Sequence, residues 1–404
     1  MFELVDSVQD KPVIKVIGVG GGGGNAVKHM IASEVSGVDF ICANTDAQAL
    51  KDVEAQTILQ LGNTITRGLG AGANPDVGRQ SALEDRERIA EVLTGADMVF
   101  ITAGMGGGTG TGGAPIVAEI AKDLGILTVA VVTRPFMIEG RKRSTVAEEG
   151  ILELRDKVDS LITIPNDRLL EVLGNKITMK AAYKEADNVL LGAVQGIADL
   201  MIRPGIMNVD FADVRTVMSE MGMAMMGSGA AVGENRAREA AEKAVRSPLL
   251  DNVNLQGARG ILVNIITGSE EAGCQELTLG EYSEVGQIVQ EIASDDATVV
   301  IGTAVDDKLG DEMRVTVVAA GLGEASAQVA RPTKVVDNTN TRRQEAREAS
   351  RPAAAAADTA RESQDVRGSR VEGERPKRAM PALNPADQDM EYLDIPAFLR
   401  RQAD

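Results

Sequence analysis

The run Gly106-Gly107-Gly108-Thr109-Gly110-Thr111-Gly112, directly after the apolar stretch DMVFITAG, constrains this chain more than any other feature. Glycine loses more conformational entropy on folding than any other residue and has no side chain to bury. A run of it between ordered elements persists where backbone amides must approach a ligand closely. The apolar stretch predicts a strand, and TGGAPIVAEIAKDLG after it carries apolar residues at helical spacing. A strand, a glycine loop and a helix in that order deliver an anion to the positive end of a helix dipole, so the run reads as a phosphate cradle.

A second run lies near the start, in VIKVIGVGGGGGNAVKHM, where β-branched residues lead into Gly20 to Gly24 and an amphipathic segment begins at Asn25. Gly18, Gly20 and Gly23 also satisfy G-x-G-x-x-G, with Asp46 after the next strand near the position of a ribose-binding acid, so a nicotinamide or flavin enzyme is a rival. Against it, a dinucleotide fold supplies one such loop per cofactor, whereas this chain has a second, and a third candidate in GLGAGANPDVGR, Gly68 to Arg79. Several loops closing on one polyphosphate suit a nucleoside triphosphate better. No G-x-x-x-x-G-K-[ST] occurs, so a triphosphate site must rest on backbone amides and threonine hydroxyls. Asp307-Lys308-Leu309-Gly310 resembles a GTPase fragment, but the other motifs of that class are missing and it reads as chance.

Composition sets the frame. The 404 residues suffice for two domains, and a net charge of −18 argues against general nucleic-acid binding, which needs clustered Lys and Arg. Cys42 and Cys274 have neither a disulfide framework nor metal-ligand spacing, which suits a reducing cytoplasm. MFELVDSVQD lacks an apolar core and no run approaches the ~20 apolar residues of a spanning helix, so membrane association would come through a partner.

The fold class expected is α/β: a Rossmann-like parallel-sheet domain, a long central helix, a smaller α/β domain, then a disordered linker and a short C-terminal peptide. In numbers, 1–11 is a flexible N-terminus, 12–178 the nucleotide domain with its loops on one rim, and 179–203 the helix. A second domain follows over 204–322, with an acidic loop at 208–214. Residues 323–388 are the linker. Near Arg331 the composition turns to Arg, Glu, Ala, Pro, Thr and Asp, too little apolar surface to offset chain entropy. Residues 389–404 restore apolar anchors at the end of that tether, which fits either a partner-docking peptide or a helix packed on its own domain.

GGGTGTG, together with GVGGGGGNAV, NTDAQAL, GAGANP, IPND and NVDFADV in that order, closely resembles the tubulin/FtsZ GTPase family over roughly residues 12 to 320 and again at the C-terminus. The resemblance implies GTP and GDP as ligands, with Mg²⁺ held mainly by the phosphates and no separate metal site. Gly21, Gly22, Gly23 and Gly24, and Gly108, Thr109 and Gly110, would hold phosphates through amides, with side-chain contacts from Asn25 and Thr109, and Asn44, Gly72, Ala73, Gly106 and Gly107 would also bind GTP. Thr133, Glu139 and Arg143 would serve the ribose and phosphates, and Asn166, Tyr183 and Asp187 would complete the nucleoside site. Asp187 can accept from both the N1 and N2 hydrogens of guanine, a pattern adenine lacks. Tyr183, one turn earlier, could stack on the base where many members carry Phe.

Asn208, Asp210 and Asp213 would be the catalytic group. The base contact and these aspartates lie on the order of 25 to 30 Å apart along the central helix, so they cannot serve one nucleotide within one subunit. They must reach the next molecule's nucleotide, which makes a head-to-tail homopolymer. The same Asp210 also reads as a cap with Asp213 in the first helical turn, and both roles can coexist. The family's division ring implies cytoplasmic assembly at the septum, on the inner face of the membrane. The tail residues Tyr392, Leu393, Asp394, Ile395, Pro396, Phe398, Leu399 and Arg400 would bind the tethers FtsA and ZipA.

Overall fold

The computed structural model describes residues 11–322 apart from 175, 204, 220–221, 251–257, 272 and 295. Its first half repeats strand, loop and helix. β1 (Ile14–Val19), α1 (Gly20–Ala32), β2 (Asp39–Asn44), α2 (Ala47–Lys51) and β3 (Thr57–Gln60) lead to the helices α3 (Asn63–Thr66), α4 (Pro75–Glu84) and α5 (Arg86–Leu93). Then come β4 (Met98–Gly104), α6 (Thr109–Asp123), β5 (Leu127–Arg134), α7 (Arg141–Arg155), β6 (Ser160–Pro165) and α8 (Asn166–Leu173). The long helix α9 (Met179–Ile202) and α10 (Phe211–Met218) precede β7 (Gly222–Ala231), α11 (Arg236–Val245), β8 (Gly260–Thr267), α12 (Leu279–Ile292), β9 (Thr298–Val305) and β10 (Met313–Leu322).

The strands form a sheet ordered β3-β2-β1-β4-β5-β6-β7-β10-β8-β9. From β3 to β7 every pairing is parallel; β10 runs antiparallel between β7 and β8, and β9 is parallel to β8. Parallel strands need covered faces, and alternate residues supply two cores. Val16, Phe40, Phe100, Val129 and Ile162 meet α1, α9 and α10 on one face, while Ile17, Ile41, Ile101, Ala130 and Leu161 meet α5, α6 and α7 on the other. The chain winds outward from β1 to β3 and then returns to β4 beside β1. The rim at the carboxyl ends of β1 and β4 is therefore a topological switch point, where ligands of such sheets bind.

Hydrogen bonding does not stop between the two halves. Ser160, Leu161 and Ile162 of β6 pair with Gly222, Met223 and Ala224 of β7. Strand β7, GMAMMGSGAA, has no β-branched or aromatic residue and so carries no strand signal. Its partners β6 and β10 extend it, and its glycines let α11 approach: a side chain at Gly227 would overlap the Ala244 carbonyl, and one at Gly229 the Ala240 carbonyl. Helix α9 packs under both halves, with Leu190, Val194, Ile197 and Leu200 in the core shared with Met226, Leu262 and Val318. That position explains why α9 is apolar on several faces.

Candidate functional site

Two helices begin side by side at the switch point. A Cβ on Gly20 would lie 2.8 Å from the Gly110 amide nitrogen, and one on Gly22 would lie 3.0 Å from the Gly104 backbone. The residues preceding α1 and α6, Val19 and Gly108, offer no side-chain cap, unlike Thr178, Asp210 and Thr278 ahead of α9, α10 and α12. In α-helix geometry the first amides of each helix have no carbonyl to meet, so those of Gly20–Gly22 and Thr109–Thr111 converge unpaired by their helices. Each helix end also carries about half a positive charge, and two meeting ends make a strong anion site.

Not all of the expected glycine amides are available to a phosphate. Gly23 and Gly24 sit deeper in α1, where helix geometry directs the Gly24 amide back along the helix, and Gly23 is glycine because a side chain would overlap the Thr102 carbonyl. The Gly106 amide donates to Thr111 Oγ1 at 2.8 Å, and the Gly108 amide to the Gly72 carbonyl at 2.9 Å. Packing also accounts for several glycines of the signature. A Cβ on Gly108 would lie 2.6 Å from the Gly72 carbonyl oxygen, one on Gly110 would lie 2.6 Å from that of Gly104, and one on Gly112 would overlap Pro75 of α4. Gly21, Gly72, Gly107 and Gly140 instead face open space. Gly72, Ala73, Gly106, Gly107, Glu139, Lys142 and Arg143 border a cavity of about 400 Å³.

Polar side chains brace these loops. Thr109 Oγ1 lies 2.6 Å from Thr45 Oγ1 in a buried pair, and the Thr133 carbonyl accepts from the Met105 amide at 3.0 Å. Asn25 is exposed on α1, and buried Asn44 accepts from the Asp46 amide at 3.3 Å. Asp46, the ribose acid of the dinucleotide reading, caps α2 by accepting from the Gln48 and Ala49 amides at 2.8 and 3.3 Å. Thr45 lay unread within NTDAQAL; nothing in a single threonine signals a partner 64 residues away.

Farther along the rim, Glu139 accepts from the Phe136 amide at 2.9 Å and pairs with Arg143 at 3.1 Å. The rings of Phe136 and Tyr183 meet edge to face with centroids 5.3 Å apart, which fixes the orientation of the tyrosine. Burial and a hydrogen bond to Glu139 raise the Tyr183 pKa. Phe136 is 1% exposed and was visible in sequence only as an apolar residue in RPFMIEG. Asn166, at the start of α8, is 3% exposed, and its buried Oδ1 has no hydrogen-bond partner among the described residues. Asp187, half-buried on α9, has its pKa pushed up to about 6 by desolvation, with nearby His29 pulling it the other way. His29 itself meets Asn188 Oδ1 at 2.6 Å and so ties α1 to α9.

The expected catalytic group lies elsewhere. From Asp187 to Ile202 the helix rises about 22 Å. Beyond it, the Met207 amide donates to Thr303 Oγ1 at 2.8 Å and the Thr303 amide to the Met207 carbonyl at 3.1 Å, so β9 holds the loop like a short extra strand. Asn208 Oδ1 accepts from the Gly205 amide at 3.0 Å, a contact that shapes the loop from within. Asp210 caps α10 by accepting from the Ala212 amide at 3.3 Å, and exposed Asp213 occupies its first turn. Arg203 pairs with Asp199 at 2.8 Å and Asp306 at 3.3 Å, bracing the end of α9 against β9. The structure thus brings the glycine loops, Glu139, Arg143, Asn166, Tyr183 and Asp187 to one rim and leaves Asn208, Asp210 and Asp213 off it. Residues 392–400 of the tail lie outside the described residues. Among the described residues no helix is long and apolar enough to cross a membrane, and no group of three or more His, Cys, Asp or Glu could hold a metal ion.

A doubly wound sheet whose switch point carries two uncapped helix starts and a GGGTGTG loop defines a tubulin-type GTPase. Residues 13–174 match the Tubulin/FtsZ family, GTPase domain, and residues 222–323 the FtsZ family, C-terminal domain. The chain is 62% identical to the cell division proteins FtsZ of Pseudomonas putida and of Pseudomonas aeruginosa, and 59% identical to that of Coxiella burnetii, with at least 99% of each chain covered. Among solved structures, an empty FtsZ dimer from M. jannaschii is 43% identical with a TM-score of 0.73, covering 78% of this chain and 89% of that one. CetZ2 from Haloferax volcanii, a GTPgS-bound protofilament, is 19% identical with a TM-score of 0.65 over 83% of this chain and 98% of that one, a likeness of fold alone. The chain belongs to the FtsZ family of cell division GTPases, and GTP and GDP are its nucleotides.

Proposed function

We propose that guanine nucleotide lies along the rim from α9 to α6, and that its hydrolysis is completed by the acidic loop of the next subunit in a head-to-tail filament. The observation that carries this reading is the separation of the two halves of the site by α9, with the anion-binding helix starts at one end and Asp210 and Asp213 beyond the other. Asp187 and the free Asn166 oxygen read the base, Tyr183 stacks on it, and Glu139 and Arg143 hold the ribose. The amides of Gly20–Gly22, Gly107, Thr109 and Gly110 carry the phosphates, with Asn25 and the Thr109 hydroxyl beside them.

The phosphates themselves would carry most of the coordination of Mg²⁺, whose chemistry is to neutralise charge on the leaving phosphates. Asp213, and Asp210 beside it, orient the attacking water and accept its proton, while Asn208 keeps the loop in shape. The dimer of the M. jannaschii relative supports self-association of this chain. The tail from Tyr392 to Arg400 would dock on FtsA and ZipA, bringing the filament to the septal membrane.

Mixing two inactive variants tests the shared site. Asp213→Ala keeps the phosphate loops, whereas Gly108→Ser forces the Gly72 and Asn74 carbonyls aside and disables the cradle while keeping both aspartates. Each alone is expected to turn over little GTP. Filaments containing both should recover hydrolysis at junctions joining the intact loops of one to the intact acidic loop of the other. Turnover that stays at the level of the separate variants, with both proteins found in the pellet on co-sedimentation, would exclude catalysis in trans.

A further inference from the structure

The chain has no P-loop lysine, yet a terminal phosphate bears the charge that distinguishes GTP from GDP. The elements place that phosphate. The base site belongs to α9, which packs on one face of the sheet, while α6 and α7 pack on the other. A nucleotide with its base at Asp187 therefore crosses the rim past Gly22 and Gly104 and ends on the far face. The cavity of about 400 Å³ extends from Glu139, which hydrogen-bonds Tyr183 of the base site, to the loop at Gly72 and Ala73, the turn at Gly106 and Gly107, and the first turn of α7.

Two cations, Lys142 and Arg143, and one carboxylate, Glu139, border that cavity. Arg143 is already paired with Glu139 at 3.1 Å, and its stem packs against Gly106, where an added Cβ would lie 2.8 Å from Arg143 Cγ. Lys142 is exposed and makes no hydrogen bond or ion pair among the described residues. It projects from the first turn of α7, whose start carries no side-chain cap and adds its own positive end. Gly107 and Gly72, which also border the cavity, have open space where a side chain would stand. An unpaired ammonium bordering the same cavity as two glycine loops supplies the kind of charge that a P-loop lysine provides from a different point in the chain.

Resting on the proposed reading of the loops as the phosphate cradle, we infer that Lys142 is the cation that binds the terminal phosphate of GTP and neutralises its charge as the bond to the leaving phosphate breaks. It touches the substrate from within the same subunit, and is distinct from Asp213, which arrives from the neighbour. GDP, which lacks that phosphate, does not engage it.

The test uses the full chain below its assembly threshold, so that only the subunit's own contacts count, and measures Kd for GTP and for GDP by competition with a fluorescent guanine nucleotide. Lys142→Gln is expected to weaken GTP about tenfold and GDP less than about twofold, the size of one charge-assisted contact. Lys142→Arg, which keeps the charge, should return GTP to within about threefold of the parent. A GTP-to-GDP ratio unchanged by Lys142→Gln overturns the assignment, whether both affinities fall together or neither moves. Gly107→Val separates this failure from failure of the reading beneath it. If both nucleotides bind that variant as tightly as the parent, the loops are not the cradle. If they do not, an unchanged ratio in Lys142→Gln removes the lysine alone.

Discussion

Asp187 on α9 and Asp213 on α10 are the same side chain, and their surroundings differ. Asp187 is half-buried beside α1, where desolvation lifts its pKa to about 6, so its charge lacks enough donors until a ligand brings them. Asp213 stands in solvent at the start of α10, where the helix end favours a negative charge without any ligand. On the proposed reading, the first binds the nucleotide and the second is presented to another molecule. Neither difference is contained in the letter D; one follows from the packing of α9 and the other from the exposed start of α10.

Removing Asp213 probes the presented end and should have the largest effect. Asp213→Ala is expected to lower GTP turnover in filaments about 10²- to 10³-fold, the range of a lost general base, with the GTP Kd of the monomer within about twofold of the parent. An equal loss of GTP binding would move Asp213 into its own subunit's site and erase the contrast between the two ends.

Asp187→Asn probes the binding end. It substitutes a donor for one carboxylate oxygen facing guanine and should weaken GDP about 10- to 100-fold. Because only the carboxylate accepts both base hydrogens, GDP affinity in the parent should be flat above about pH 7. It should fall as pH drops through about 6, by up to tenfold per unit, while the asparagine variant stays flat. The sign for folding is the reverse: with its pKa raised above the unfolded value, Asp187 favours the empty fold most below its unfolded pKa, and that contribution is lost as pH rises through about 6. A titration of GDP affinity without this fall, or with the same fall in Asp187→Asn, would detach the guanine contact from this carboxylate.

The smallest of these effects concerns what holds the acidic loop. Thr303→Val keeps the shape on β9 but leaves the Met207 amide without its hydroxyl acceptor. Turnover should fall about three- to tenfold, with nucleotide affinity unchanged. A fall in affinity instead would mean that the loop's anchor reaches the nucleotide site through α9, and the two ends would then be one coupled unit.

Much of this arrangement was legible along the chain. The alternation VIKVIGV, DFICAN, DMVFITA, ILTVAVVT and SLITIP fixes five strands, because β-branched runs bounded by glycine and polar turns have little else to become. The helix from Met179 was equally plain. Strand β7 was not, since its extension is imposed by β6 and β10, and the sheet's continuity from β6 into β7 depends on pairing between residues some sixty positions apart.

The glycines divide along the same line. Their clustering after two strands pointed to a phosphate, but Gly108, Gly110, Gly112 and Gly23 are crowded by backbone of other elements, whereas Gly21, Gly72 and Gly107 face the opening. Phe136 against Tyr183, Thr45 against Thr109 and Thr303 under Met207 left no trace in the sequence, because a single side chain at an ordinary position does not name its distant partner.

The sequence by itself determined a glycine-loop pattern suited to phosphate, the order of strands and loops, and the length of α9 that keeps Asp187 apart from Asp213. These are local properties: entropy confines glycine runs to special backbones, periodicity selects helix or strand, and rise per residue sets distance. Only the tertiary structure decided which amides remain free, which carboxylate is desolvated, and that α1 and α6 begin at one point. Those outcomes depend on the parallel pairing of β1 with β4 and on helices packed against opposite faces of the sheet, contacts between residues far apart in the chain whose geometry no local pattern encodes.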